Sequence, residues 1–460
     1  HSKKTFSRNN KKKESSLELF IILLPLTPVM QYILNNREIL SLWEDVYIFF
    51  VFTILSFIII IAIPTLLQTI SSRKVLMSLG VAFVFSITNM GQLSRQFAWH
   101  EVGYLKIQLA VFAGVFLLFQ IFFYSNSQKF LYVLNVIIFL NASITPFLSG
   151  ETVADANLAS TDNKLVTLVG KTHPRITPNI YLLIYDAYVV NETMLSYGID
   201  NQAQEDLLRE LGFKIYPHTY SVGNHTLSTM NRVLNVSTQY DKNDRSGVSS
   251  GGRVQSLLKE FSYKSYGVFY TDYFFRGAIP AYDYYFPSNS SPANTLIKAM
   301  LTGEFKFSLE FIETSRKQFL DRKNSAFSEE KIFPKFIYIH SGNPGHSQNS
   351  GACLPNEREL FKERLMWANL EMSEDVEYIT EHDENAIIIV AGDHGPYLTK
   401  NCAYTSDHYN LVNISRLDIQ DRFGTFLAIK WSSPNFEAYD NIVILQDVFP
   451  SIFAYIFQKC

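Results

Sequence analysis

Three residues, Asp186, Asp393 and His394, have the types and positions best suited to chemistry. Asp186 ends the apolar run NIYLLIYD, and the pair Asp393-His394 follows the run AIIIVAG. Both runs are rich in β-type residues, and in open α/β sheets the crevice beyond the carboxyl ends of the strands is where ligands bind. Between them lies a Ser/Thr-rich segment, SVGNHTLSTMNR, in which Thr226 is the favoured nucleophile and Ser228 its rival. A hydroxyl is a poor nucleophile at neutral pH until a base or a metal takes its proton, and carboxylates with imidazole suit hard or borderline divalent ions. Asp186, Thr226, Asp393 and His394 would offer oxygens and one ring nitrogen, a set compatible with Zn²⁺ and, less well, with Mn²⁺. Such a site would attack a phosphorus or sulfur ester. Placing Asp and His side by side lets one turn aim both at one ion, and Gly395 after them permits close backbone approach.

These residues need a scaffold, and the pattern beyond residue 178 supplies one. Apolar β-rich runs (IYLLIYD, GVFYTD, KFIYIH, AIIIVAGD, TFLAIKW) alternate with helical patterns near Gln202–Leu211, Ala293–Leu301, Glu357–Glu381 and Leu445–Phe457. That alternation predicts βαβ units around a mainly parallel central sheet. Trp367 and Met372 on the long helix are expected to be core packing.

The first 149 residues differ in kind. Of the whole chain, 47% is apolar and 15% aromatic, and the apolar residues crowd towards the N-terminus. Runs near Leu17–Leu34, Val46–Leu67, Val75–Met90, Ile107–Tyr124 and Phe130–Leu148 approach the ~20 residues that cross a ~30 Å hydrocarbon layer, so five helical spans are expected. The first is read as an uncleaved helix because four more runs follow it. Lys and Arg cluster before span one, at Arg73-Lys74 and at Lys129, which puts those loops in the cytoplasm and everything past residue 150 outside it. Trp43, Trp99 and Tyr104 fall in the opposite loops, where interfacial aromatics belong. Residues 150–177 are polar, end in THPRITPN and are expected to be a linker.

The net charge of −3 gives no reason to expect nucleic acid as a partner. Three cysteines occur, at 353, 402 and 460. In an oxidising compartment Cys353 and Cys402 would form a disulfide or remain two thiols, and both alternatives stay open.

With its motifs in this order, the chain resembles the alkaline phosphatase/sulfatase-like superfamily, and within it the membrane phosphoethanolamine transferases and lipoteichoic acid synthases. The motifs are IYDAY, NHTLSTM, the His-containing IHSGNPGHS, and DHG after a late strand. The resemblance implies a five-span membrane domain (1–149), the linker, and an extracytoplasmic alkaline phosphatase-like catalytic domain (178–460) on the inner membrane. It implies that Asp186, Thr226, Asp393 and His394 bind the metal and that Thr226 becomes phosphorylated. His340 and His346 match the histidines that contact substrate phosphate or a second ion, with a different spacing, and His408 is a further candidate for substrate binding. Asp186 stands where those enzymes usually carry Glu. The implied donor is a membrane phospholipid and the acceptor an envelope glycan or lipid.

Three other functions fit parts of the pattern. A sulfatase would need a Cys or Ser in a Cys/Ser-x-Pro/Ala-x-Arg sequence, and neither the cysteines nor SVGNHTLSTMNR provides one. A membrane-anchored phosphodiesterase would use every residue named above. A non-catalytic envelope assembly protein would have no need of the four clustered candidate ligands.

Overall fold

The computed structural model describes residues 19–35, 40, 42–68, 72–96, 104–124, 136, 138–139, 169, 173–239, 245, 247–275, 280–288, 293–294, 314–329, 333–347, 356–399 and 414–458. The chain divides into two compact units, His1–Asp155 with Ser290–Glu310, and Ala156–Asn289 with Phe311–Cys460. Helix Ala293–Leu301, apart from Ala293 and Asn294, falls outside the described residues, as do His408 and the three cysteines.

The first unit is helical. Its described helices are α1 (Leu23–Asn35), α2 (Leu42–Phe57), α3 (Arg73–Gln96) and α4 (Tyr104–Tyr124), with α2 prolonged by a π turn, Ile58–Ala62, and a last turn, Ile63–Leu66. Among the described residues one helix, Leu42–Leu66, is long and apolar enough to cross a membrane, by length and composition. Of the fifth expected span only Val136, Ile138 and Phe139 are described.

The second unit is built on a seven-stranded sheet in the order β2-β7-β6-β1-β5-β3-β4. The strands are β1 (Ile180–Tyr185), β2 (Lys214–Ile215), β3 (Lys264–Phe269), β4 (Tyr284–Phe286), β5 (Lys335–Ser341), β6 (Ile387–Ala391) and β7 (Leu427–Lys430). The block β6-β1-β5-β3-β4 is parallel, and β7 runs antiparallel to β6. The sheet is mainly parallel, as expected, and is made mixed by one antiparallel strand, β7, near an edge.

Both faces of the sheet are covered, which is why its central strands are apolar without polar alternation. In β1 every residue is buried: Ile180, Leu182 and Ile184 enter one core cluster, and Tyr181, Leu183 and Tyr185 the other. On the first face lie α7 (Thr226–Asn235), α8 (Arg253–Glu260) and α12 (Val448–Phe457); on the second, α5 (Asn191–Ser196), α6 (Gln202–Glu210), α9 (Arg316–Ser328) and α10 (Glu357–His382). A last helix, α11 (Arg416–Phe423), begins with a capping box in which Ser415 and Asp418 satisfy each other's backbone amides. Met372 is fully buried as expected, whereas Trp367 is 53% exposed and lies on the outer side of α10. The expected linker is partly built into this unit, because the amides of Arg175 and Ile176 donate to the carbonyl of Ile456.

Register decides what shares the carboxyl edge. Tyr185 pairs with Ser341, and Ile184 pairs with both His340 and Ala391. Asp186, the loop after Ser341, and Asp393 two residues past Ala391 therefore leave three adjacent parallel strands at one level.

Candidate metal and nucleophile site

Asp186, Asp393 and His394, all buried, bring one ligand atom each to within 4.8 Å of one another. His394 Nε2 lies 3.4 Å from Asp186 Oδ1 and 3.4 Å from Asp393 Oδ2. Thr226 is the first residue of α7, and its Oγ1 lies 3.4 Å from the same Nε2. Residues far apart in the chain thus converge on one point.

The unused lone pairs test whether a cation fits. Asp393 Oδ1 accepts from the amides of Ala187 and His394, both at 3.0 Å, and Oδ2 has no hydrogen-bond partner. Asp186 Oδ1, also buried, has none either. A carbonyl oxygen only accepts, so the 2.8 Å contact between His394 Nδ1 and Gly395 O places the proton on Nδ1 and leaves the Nε2 lone pair facing the carboxylates. Buried acceptors without donors cost free energy unless something positive pairs with them. The donor set, two carboxylate oxygens, one imidazole nitrogen and a hydroxyl, fits a divalent ion.

Electrostatics agree with this. Burial pushes the Asp186 carboxyl well above its ordinary value, Asp393 pushes it further, and the Arg364 guanidinium opposes both. Burial, the largest influence, pushes Asp393 up, but His394, His340 and hydrogen bonds from Thr226 and the Ala187 amide together hold that carboxyl below its ordinary value.

Local sequence explains the aim of each group. Gly392 and Gly395 flank the Asp-His pair; a Cβ on Gly395 would fall 2.1 Å from the Asp421 carbonyl, and one on Gly392 would fall 1.9 Å from that of Tyr188. His225 caps α7 through Nδ1, which accepts from the Ser228 amide. Thr226 therefore stands where free amides and the helix dipole favour negative charge. Ser228 is turned elsewhere: it is buried, and its Oγ accepts from Arg232 Nη1 at 2.9 Å.

His340, on β5, is fully buried, with Nε2 3.7 Å from Asp393 Oδ2 and Nδ1 3.1 Å from the Tyr338 hydroxyl. His346 lies in the loop beyond, its ring 5.7 Å from that of His394, and its Nδ1 donates to Ser347 O at 2.8 Å. Burial, chiefly, lowers both imidazoles to about 4, so both are neutral near pH 7. The site also contains residues with no conspicuous sequence signal. Tyr397 stacks on His394 with ring centroids 5.2 Å apart, its hydroxyl donates to the Asn224 carbonyl, and Arg422 covers its ring at 4.0 Å. Arg364 of α10 donates to the carbonyls of Pro344 and His346. Only the tertiary fold brings these groups to the site.

No protein-family model and no curated protein matches the sequence. Solved structures do. The integral membrane lipooligosaccharide phosphoethanolamine transferase EptA from Neisseria meningitidis aligns over 94% of this chain and 91% of its own, at 11% identity and a TM-score of 0.41. The C-terminal periplasmic domain of EptC from Escherichia coli, in complex with Zn, aligns over 65% of this chain and 84% of its own, at 11% identity and 0.39. The lipoteichoic acid synthase LtaP from Listeria monocytogenes aligns over 64% of this chain and 78% of its own, at 11% identity and 0.37. The solved structures to which this chain is similar thus include phosphoethanolamine transferases and a lipoteichoic acid synthase.

Proposed function

We propose that this chain is a metal-dependent transferase that moves a phospho-head group, phosphoethanolamine or glycerol phosphate, from a membrane phospholipid to an envelope glycan or lipid through a phosphothreonine at Thr226. The observation that carries the reading is the convergence of a helix-N-terminal hydroxyl with two buried carboxylates and an imidazole, Thr226 Oγ1 lying 3.4 Å from His394 Nε2. A divalent ion held by Asp186, Asp393 and His394, Zn²⁺ before Mn²⁺, would supply charge neutralisation and a more acidic Thr226 hydroxyl.

In the first half-reaction Thr226 Oγ forms a bond to phosphorus as the bond to the diacylglycerol oxygen breaks, and the hydroxyl proton ends on the departing diacylglycerol. In the second, an acceptor hydroxyl attacks the phosphothreonine in line, and its proton returns to Thr226. The α7 N-terminus favours charge at the nucleophile, and neutral His346, with Nδ1–H committed to Ser347 O, keeps a lone pair on Nε2 for a substrate proton. His340 acts through Asp393, which it faces. His408 is retained as a substrate-side candidate on sequence grounds.

The multi-span arrangement belongs to the same proposal: five spans over 1–149 in the inner membrane, with the catalytic unit outside the cytoplasm. Tethering keeps a lipid donor at high effective concentration beside the site. Intact-protein mass spectrometry on chain isolated from its membranes tests the reading. The expected result is an added mass equal to phosphoethanolamine or glycerol phosphate that maps to Thr226 and is absent from Thr226→Ala. Release of free phospho-head group with no modified acceptor would favour the phosphodiesterase, which uses the same residues.

A further inference from the structure

The loop Ser341–Ser347 carries His346 and borders the carboxylate site, and its backbone is tied to the site itself: the Gly345 amide donates to the Asp186 carbonyl at 2.9 Å and the Ser347 amide to the Pro396 carbonyl at 2.9 Å. Two side chains of α10 grip the same loop. At its start, Ser341 Oγ donates to Glu371 Oε2 at 3.1 Å. Further along, Arg364 Nε donates to the Pro344 carbonyl at 2.6 Å and Nη2 to the His346 carbonyl at 3.3 Å. Arg364 and Glu371 are seven residues apart, two helical turns, and so share one side of α10.

The helix end of this brace is rigid. Glu371 is buried and paired with Lys323 at 3.0 Å and Arg316 at 3.1 Å, and Lys323 also meets Asp375 at 2.6 Å. Asp375 in turn accepts from the hydroxyl of Tyr185, the residue before Asp186. One helix therefore contacts the end of β1 and the loop after β5, the two segments that flank the carboxylate pair.

We propose that Arg364 is a positioning residue: its planar fork, spanning two carbonyls two residues apart, sets the place of His346 relative to Asp186 and His394, with Glu371 anchoring the near end of the same loop. The inference rests on the transfer reading of this site. A guanidinium presents donors in a fixed plane, whereas a lysine ammonium keeps the charge and loses the fork.

The test uses the full chain in proteoliposomes. Amide hydrogen exchange over residues 342–347 is followed in Arg364→Lys, Arg364→Gln and the exposed control Arg358→Gln, beside kcat and KM for the soluble diester bis(4-nitrophenyl) phosphate and bound-zinc stoichiometry. Both Arg364 variants are expected to exchange the loop amides roughly tenfold faster or more, through local opening. Their kcat should fall about 10- to 100-fold, since a small displacement of a positioned group costs that much. KM should stay within about twofold and zinc content unchanged, the pattern of an interaction expressed in the transition state. Arg358→Gln should match wild type. Unchanged loop exchange in both variants overturns the proposal, as does full kcat in Arg364→Lys, which would make charge alone sufficient. Failure of both variants to fold also overturns it, by assigning Arg364 to stability. If wild type turns over no phosphodiester, the transfer reading fails, and the exchange result still decides whether Arg364 holds the loop.

Discussion

The Thr226 hydroxyl lies 3.4 Å from Nε2 of His394, and the carbonyl of Gly395 decides that this nitrogen carries a lone pair rather than a proton. The placement of Thr226 and His394 is thus set by two backbone devices, a helix start and a tight turn. Each can be disturbed separately.

Removing the nucleophile should leave the fold standing. Thr226 is only half-buried at the first position of α7, so Thr226→Ala is expected to insert and melt like wild type. Its transfer rate should fall at least about a thousandfold, as for loss of a covalent nucleophile. Thr226→Ser should retain measurable activity. Ser228→Ala should be near wild type in rate, because Arg232 already occupies that hydroxyl; a large loss there would reverse the assignment.

Removing the metal should destabilise the catalytic unit. Without a cation, Asp186 Oδ1 and Asp393 Oδ2 are left facing each other buried and unbonded. Chelation is expected to lower the thermal midpoint, and added Zn²⁺ to restore it, rising with the logarithm of free-metal concentration above the dissociation constant. Asp186→Asn should bind zinc more weakly yet lose less midpoint on chelation, since one of the opposed charges is gone. An equal loss in both proteins would argue against a shared ion.

The glycine after the Asp-His pair is expected to be intolerant. A Cβ at Gly395 meets the Asp421 carbonyl at 2.1 Å, a backbone atom that cannot rotate away. Gly395→Ala should cost about 1–3 kcal/mol through overpacking and should displace the adjacent His394. Gly114→Ala, inside α4 with nothing within 4 Å, should not destabilise by the same denaturation assay, since Ala is the better helix former.

Tyr397 separates stacking from hydrogen bonding. Tyr397→Phe keeps the ring against His394 and loses the bond to the Asn224 carbonyl, so a modest fall in kcat is expected. Tyr397→Ala removes both the stacking and the hydrogen bond, so the loss should be clearly larger. Equal effects would show that only the hydroxyl matters.

How far the sequence was legible follows from the same residues. Strands β1, β5 and β6 are apolar runs buried on both faces, and such runs stand out at five to seven residues. Strands β2 and β4, at two and three residues, are too short to carry a period. Helix α7 was hidden because Ser, Thr and Asn are poor helix formers and its start depends on a histidine cap. Asp186 and the Asp-His pair were visible as polar residues terminating strands. Arg364 was not, because its function is a contact with carbonyls about twenty residues earlier in the chain, and no local pattern records that. The direction of β7 was equally hidden, since TFLAIKW reads alike in either orientation.

The charge cluster beneath the site gives the fold a pH dependence of its own. Burial, the largest influence, raises the Asp375 carboxyl from 3.8 up to about 6, with Lys323 opposing and Glu371 reinforcing. Burial works to lower the Lys323 ammonium, but Asp375 and then Glu371, the two carboxylates it faces, together raise it. For Asp375 the folded value exceeds the unfolded one, so its favourable contribution is complete below about 4 and is lost as the pH climbs through about 6. Wild type should therefore lose thermal midpoint relative to Asp375→Asn as the pH is taken from about 4 to about 7. The Tyr185 hydroxyl, whose acceptor is Asp375 Oδ2, would report the same transition by ultraviolet difference spectroscopy. A midpoint difference that stays constant across that range would mean that Asp375 keeps one charge state throughout, with Lys323 outweighing burial and Glu371.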